Sequence, residues 1–250
     1  MVVFPLDILL VYTLFKLQPI LFMRLFVFDM AGTTVKDKQE VASCLQQALA
    51  AEGISVGIAQ INPVMGYPKP VAISHLIALG NPDPSVNTPH FIDHIHQDFV
   101  KRMLAYYAES PDVGEKPGVR EVVELLRREN IQVGIDTGFD RQIADTIFER
   151  LGWYKDQLFD YSVTSDEVAK GRPHPDMIFK IMDMAGIADP KLVGKVGDTP
   201  SDLQQGFAAG CSLVIGVTTG SHTAEELKRE RHTHLIEDLR EIADILQLKF

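Results

Sequence analysis

The chain has 250 residues, 46% hydrophobic and 23% charged, which excludes a disordered, collagenous or disulfide-framework protein. Lys and Arg number 24 against 34 Asp and Glu, a formal charge of −10, so phosphate backbones are repelled and nucleic-acid binding is not expected. Cys44 and Cys211 are the only cysteines and show neither metal-ligand nor CxxC spacing, so a reducing, cytoplasmic setting is expected.

Residues 1–22 are strongly apolar, yet Asp7 and Lys16 interrupt them and Pro5 and Pro19 lie inside. A secretory signal would need a basic leader and a small-residue cleavage site, and neither is present. Asp7 held in mid-bilayer would cost about 2.5–3.5 kcal/mol, so a membrane span is not expected. The stretch reads as an extension from an upstream start codon, with the folded domain beginning at Met23 and a membrane anchor as the competing reading.

From Met23 onward strands and helices alternate. The run Leu25-Phe26-Val27-Phe28 ends in Asp29 and a Gly-containing turn, the pattern of a buried strand. Comparable runs follow at 131–135, 159–163, 192–196 and 213–217, separated by helical stretches at 118–129, 140–151, 175–185 and 200–209. This order predicts an α/β fold: a Rossmann-like parallel sheet with helices on both faces and its site at the carboxyl ends of the strands. Residues 37–113 break the rhythm with helical periodicity and no convincing strand. They are expected to form a helical cap inserted after the first strand, with 23–36 and 114–250 as the core.

Four elements fall at successive predicted strand ends: Asp29-Met-Ala-Gly-Thr33, Thr137-Gly138, Arg172, and Gly197-Asp198-Thr-Pro-Ser-Asp202. A strand-end carboxylate can attack a phosphoryl group as a covalent nucleophile. It needs a divalent cation, since two anions do not approach unaided, and Mg²⁺ takes one or two carboxylates beside phosphate oxygens and waters. Asp29 and Asp198 can supply those carboxylates, and Asp202, one turn later, can orient a ligand. Thr137 offers a neutral donor to phosphoryl oxygens, and Arg172 a fixed cation. Each element alone has a bland alternative: an Asx-turn for Asp29, a helix cap for Asp198 and Asp202, a solvated loop charge for Arg172. Their joint occurrence is what carries chemistry.

With these residues the sequence resembles the haloacid dehalogenase superfamily from about residue 24 to 246, and within it the phosphonoacetaldehyde hydrolase (phosphonatase) and phosphonatase-like hydrolases. The narrower likeness rests on Ala31 where superfamily phosphatases usually carry Asp, on Arg172 where most relatives use Lys, and on Val64-Met65-Gly66-Tyr67-Pro68-Lys69. The resemblance implies Mg²⁺ held by Asp29, Ala31 through its carbonyl, and Asp198, with Asp202 behind them. It also implies an aspartyl-phosphate at Asp29, a Schiff-base lysine at Lys69, substrate contacts from Met65, Gly66 and Gly138, a small phosphonate or phosphate substrate, and a homodimer.

Ala31 gains its meaning from chemistry. An Asp at that position would protonate a leaving alkoxide, help worth about 10²–10⁴-fold. Cleaving a C–P bond instead requires an acceptor for the electrons left on carbon, and a lysine imine of a neighbouring aldehyde provides one. Lys69 must then be neutral, its pKa lowered from about 10.4 towards 7–8 by burial and a nearby cation such as Arg172. The alternatives are a small-molecule phosphatase of phosphoglycolate phosphatase type and a non-catalytic, receiver-like binding module.

Three departures from the phosphonatase pattern bear on the substrate. Ala72 stands where that family carries a His, with His75 one turn on as a candidate replacement. Gln39 stands near the family's first-loop Cys, with Cys44 beyond it. Asp136 precedes Thr137 where the family has a neutral residue, and would repel a phosphoryl dianion unless turned away or capped. His90, His94 and His96 lack the spacing of a zinc site. His222, His232 and His234 are expected at the surface, and Trp153 and Tyr154 at the end of the second core helix.

Overall fold

The computed structural model describes residues 23–81 and 83–250, so the extension 1–22 lies outside the described residues. Six strands form one sheet: β1 (Leu25–Asp29), β2 (Gln132–Thr137), β3 (Tyr161–Thr164), β4 (Val193–Gly197), β5 (Leu213–Val217) and β6 (His234–Ile236). Every pairing is parallel, and the order is β3-β2-β1-β4-β5-β6. The helices are α1 (Glu40–Ala51), α2 (Ile58–Ile61), α3 (Lys69–Gly80), α4 (Pro89–Glu109), α5 (Val119–Arg128), α6 (Arg141–Arg150), α7 (Trp153–Asp156), α8 (Asp176–Ala185), α9 (Pro200–Ala209), α10 (Ala224–Leu227) and α11 (Glu241–Leu246). Among the described residues, no helix is long and apolar enough to cross a membrane.

The continuous apolar run of β1 is explained by burial on both sides. Leu25 and Val27 pack with Met177, Ile178 and Ile181 of α8 and Leu203 of α9. Phe26 and Phe28 belong to the opposite layer, with Val119, Val122 and Leu126 of α5. The five expected strands are present; the one expected at 159–163 starts at Tyr161. β6 and α11 were not among the expected elements. Three residues of β6, with His234 exposed, are too short to show a period.

Between β1 and α5 the described residues contain α1 to α4 and no strand. The outgoing and returning segments run side by side: the Lys36 N–H donates to Gly114 O and the Lys116 N–H to Thr34 O, both at 2.9 Å. α4 packs against α1 and α3 within the segment and against α6 of the sheet layer. Trp153 is fully buried against Phe148 and Phe159, whereas Tyr154 is exposed.

The strand order reverses beside β1, with β2 and β3 on one side and β4 to β6 on the other. Such a switch point, at the carboxyl ends of the strands, opens a crevice for ligands. Asp29 ends β1, Thr137 ends β2, and Asp198 follows the last residue of β4.

Candidate active site

A small, partly enclosed cavity lies over this switch point. Asp29, Ala31, Met65, Gly66, Lys69, Thr137, Gly138 and Arg172 line it, together with Val41, Phe139, Thr199 and Ser221. The structure therefore brings the sequence-predicted residues of four separate loops to one place, with Asp198 and Asp202 immediately behind the lining.

Asp29 is buried, and its Oδ1 accepts Nη1 of Arg172 at 2.6 Å. That leaves Oδ2 without a hydrogen-bond partner among the described residues and able to act as nucleophile or ligand. Burial pushes the Asp29 carboxyl up to about 8; Arg172 opposes the shift, and the charges of Asp202 and Asp198 add to it. Thr34 fixes the turn after β1 by donating its hydroxyl to Asp29 O at 2.8 Å. Thr137 Oγ1 accepts the Phe139 N–H at 3.2 Å, so its own proton is free to donate into the cavity.

Asp198 is held by three donors. Thr33 Oγ1 reaches its Oδ1 at 3.1 Å, while the N–H and Oγ of Ser221 reach its Oδ2 at 2.6 and 2.7 Å. Gly32 allows this approach: with φ +91°, it carries no side chain where a Cβ would lie 2.3 Å from Asp198 Oδ2. Asp202 opens α9 and shares a capping box with Thr199, whose Oγ1 donates to Asp202 Oδ2 at 2.6 Å. Its Oδ1 lies 3.1 Å from both Arg172 Nη1 and Lys195 Nζ, as an ion pair rather than an aligned hydrogen bond. Burial alone would raise the Asp202 pKa, but Arg172, Lys195 and the Thr199 hydroxyl together hold it below the usual carboxylate value.

The extra carboxylate of Asp136 is capped. Its Oδ1 pairs with Arg172 Nη2 and, at 2.5 Å, with Lys195 Nζ, and its backbone O accepts Arg172 Nη2 at 2.9 Å. Repulsion of a phosphoryl dianion by Asp136 is thereby offset by two cations. Sequence reasoning passed over Lys195, although a lysine inside a buried parallel strand is itself a signal that a carboxylate partner lies nearby.

Lys69 is the first residue of α3, 3% exposed, and among the described residues its amine reaches no carboxylate within salt-bridge distance. Nζ lies 5.4 Å from the ring centre of Phe139 and 5.9 Å from that of Phe99, and donates to Tyr67 O at 3.5 Å. Burial and then the positive charge of Arg172 lower its pKa to about 8, against Asp29, Asp37 and Asp140. Phe99, from the distant α4, carried no sequence signal for this role.

Oxygens of Asp29, Asp198 and Asp202 lie within 4.8 Å of one another, a buried cluster able to hold a metal ion. The buried charges fit a divalent cation. Once Asp29 is ionised and Lys69 neutral, Asp29, Asp136, Asp198 and Asp202 against Arg172 and Lys195 leave two negative charges, which a divalent cation would balance.

The histidines are placed differently from two expectations. His222 is buried, not at the surface, with Nδ1 3.1 Å from Ser221 Oγ, because the loop after β5 folds down onto Asp198. His75 is exposed on the outer face of α3 beside the Tyr67 ring and does not line the cavity, so it does not replace the residue at Ala72. His94 reaches Glu52 at 3.1 Å and His96 lies 3.9 Å from Asp140; His90, His94 and His96 do not converge on a site.

The family model for haloacid dehalogenase-like hydrolases matches residues 26–216. The chain belongs to this superfamily of hydrolases. It is 31% identical over 219 residues to a phosphonoacetaldehyde hydrolase of Bacteroides fragilis, covering 82% of this chain and 80% of the relative. A protein of the same name from Bacillus thuringiensis is 28% identical over 238 residues, 90% and 86% of the two chains. These relatives bear out the phosphonatase-like resemblance read from Ala31, Arg172 and Lys69. Among solved structures, a phosphonoacetaldehyde hydrolase-like protein from Oleispira antarctica superposes with a TM-score of 0.76 at 20% identity, over 90% of this chain and 92% of the other. A predicted phosphoglycolate phosphatase from Haemophilus somnus gives 0.74 at 20% identity, over 89% and 97%. At such identities the two structures show the haloacid dehalogenase fold alone.

Proposed function

We propose that this hydrolase is a cytoplasmic enzyme that cleaves the C–P bond of phosphonoacetaldehyde or a closely related aldehyde-bearing phosphonate, with 37–113 acting as a cap over a core of 23–36 and 114–250. The observation that carries the proposal is Lys69: a buried amine with no carboxylate partner among the described residues, on the wall of the same small cavity as Asp29. Hydrolysis of a phosphate ester requires no imine-forming amine. Ala31, with no proton to give an alkoxide, points the same way.

The residues support the following sequence of steps. Neutral Lys69 adds to the aldehyde carbon and expels its oxygen as water, leaving a protonated imine. Asp29 Oδ2 attacks phosphorus, and the C–P electron pair moves onto carbon and into the imine as an enamine. Thr137 and Arg172 donate to the phosphoryl oxygens as the group passes to Asp29. Met65, Gly66 and Gly138 shape the walls. Protonation of the enamine carbon and hydrolysis of the imine release acetaldehyde and free Lys69. A second water cleaves the aspartyl-phosphate. The net reaction consumes one water and yields acetaldehyde and phosphate. Mg²⁺, held by Asp29, the Ala31 carbonyl and Asp198 with Asp202 behind, would neutralise phosphoryl charge.

The test compares phosphate release from phosphonoacetaldehyde and from 2-phosphoglycolate by the wild type and by Lys69→Arg. The expected result is release from the phosphonate by the wild type, lost in the variant. Release from the ester alone, unchanged in the variant, would replace the proposal with a phosphatase.

A further inference from the structure

The loop that delivers Lys69 is seated on the sheet layer through side chains that are missing. Three close approaches define the seat. At Gly138, an added Cβ would lie 2.8 Å from Gly66 O and 2.9 Å from Tyr67 O. At Gly171, an added Cβ would lie 2.4 Å from Cγ and 3.3 Å from Cδ of Pro68. At Gly66, an added Cβ would lie 2.3 Å from Ser201 Oγ and 2.5 Å from Thr199 Oγ1. Ser201 also donates to Met65 O at 3.4 Å. Residues 65–68 therefore touch the loop after β2, the loop before Arg172 and the start of α9 at once. Pro68 then leads directly into α3, whose first residue is Lys69.

We infer that Gly171 and Pro68 form a matched pair of positioning residues, in which the bare backbone at 171 receives the Pro68 ring and thereby fixes where the Lys69 amine enters the site. The inference rests on the proposed role of Lys69 only for its catalytic consequence; the seat itself is a matter of packing. A pyrrolidine ring cannot swing aside as a flexible side chain would, so a methyl at 171 must displace loop 65–68 or the 171 loop. Gly171 has no positive φ, so alanine there is strained by this contact and not by its backbone. Neither residue touches the reacting atoms in the steps above.

The test is a suppressor pair read at Lys69. Wild type, Gly171→Ala, Pro68→Ala and the double variant are pulse-acetylated without substrate. Modification at Lys69 is then measured by peptide mass spectrometry against the exposed Lys101 and Lys155. In the wild type Lys69 is protected. Gly171→Ala is expected to raise its relative rate about tenfold, the scale of an overpacked contact. Pro68→Ala leaves Lys69 protected, and adding it to Gly171→Ala returns the rate to within about twofold of wild type. Unchanged protection in Gly171→Ala, or a double variant as reactive as the single, would overturn the inference. Should Gly171→Ala fail to fold, recovery of folding in the Pro68→Ala background supports the contact, and failure in both backgrounds overturns it. No substrate is present, so the outcome is independent of the imine chemistry, which borohydride trapping of the wild type judges separately.

Discussion

Replacing Lys69 by Met should stabilise the protein while abolishing C–P cleavage. The folded protein holds Lys69 in a buried position that lowers its pKa from 10.5 to about 8. At about 1.4 kcal/mol per unit, charging the amine there costs about 3 kcal/mol at neutral pH, where both the folded and unfolded chains carry the proton. Met fills a similar volume, and its sulfur can replace part of the contact with Phe99 and Phe139, so a net gain of about 2 kcal/mol is expected. For a chain of this size that is a rise in Tm of about 4–8 °C. The pH dependence is the sharper signature. Between about 8 and 10.5 the unfolded chain still binds the lysine proton and the folded one does not, so the wild type gains stability as pH rises and the variant lacks that gain. Parallel denaturation of the two proteins at pH 7 and pH 10.5 isolates the effect, since every other group titrates in both. A variant less stable at pH 7, or a difference between the proteins that does not shrink with pH, would refute the burial of an uncompensated charge at Lys69.

Asp29→Asn should eliminate phosphate release from every substrate without lowering Tm, because it removes a carboxylate that burial disfavours; surviving release would exclude Asp29 as nucleophile. Asp136→Ala strips Arg172 and Lys195 of a shared carboxylate and should cost about 3–5 kcal/mol in urea denaturation, and a loss below about 1 kcal/mol would show that the pairing is not structural. Metal binding must displace the proton that Asp29 holds up to about 8. Mg²⁺ affinity by titration calorimetry should therefore rise from pH 6 to pH 8, by at most about tenfold per unit, with protons released; a flat profile would take Asp29 out of the ligand set.

The parallel sheet was legible because its strands are buried on both faces and so read as unbroken apolar runs ending in Asp29, Asp136-Thr137 and Gly197-Asp198. Asp29, at the end of β1, and Asp198, directly after β4, were legible for the same reason: strand ends place them at known heights over the sheet, whereas Arg172, in the loop after β3, and Asp202, in the first turn of α9, were legible from their motifs. What escaped was decided by tertiary contact. Lys195 lies within a strand rather than at its end, and its role exists only because Asp136 and Asp202 converge on it. Phe99 reaches Lys69 from the 21-residue α4, a pairing that no local spacing encodes. His222 looked like a surface residue because its burial follows from the β5 loop folding onto Asp198. Position 75 lies on the exposed face of α3, turned away from the buried Ala72, Ile73, Leu76 and Ile77, which periodicity alone could not decide without knowing which face of α3 is covered.

The central claim is that Lys69 forms a covalent imine with the substrate. The direct measurement is borohydride reduction of the Mg²⁺-supplemented enzyme in the presence and absence of phosphonoacetaldehyde, followed by peptide mapping and assay of phosphate release. The account predicts inactivation only when substrate is present, with a reduced adduct on Lys69 and none in Lys69→Arg. Full activity after reduction in the presence of substrate, with Lys69 unmodified, would contradict it.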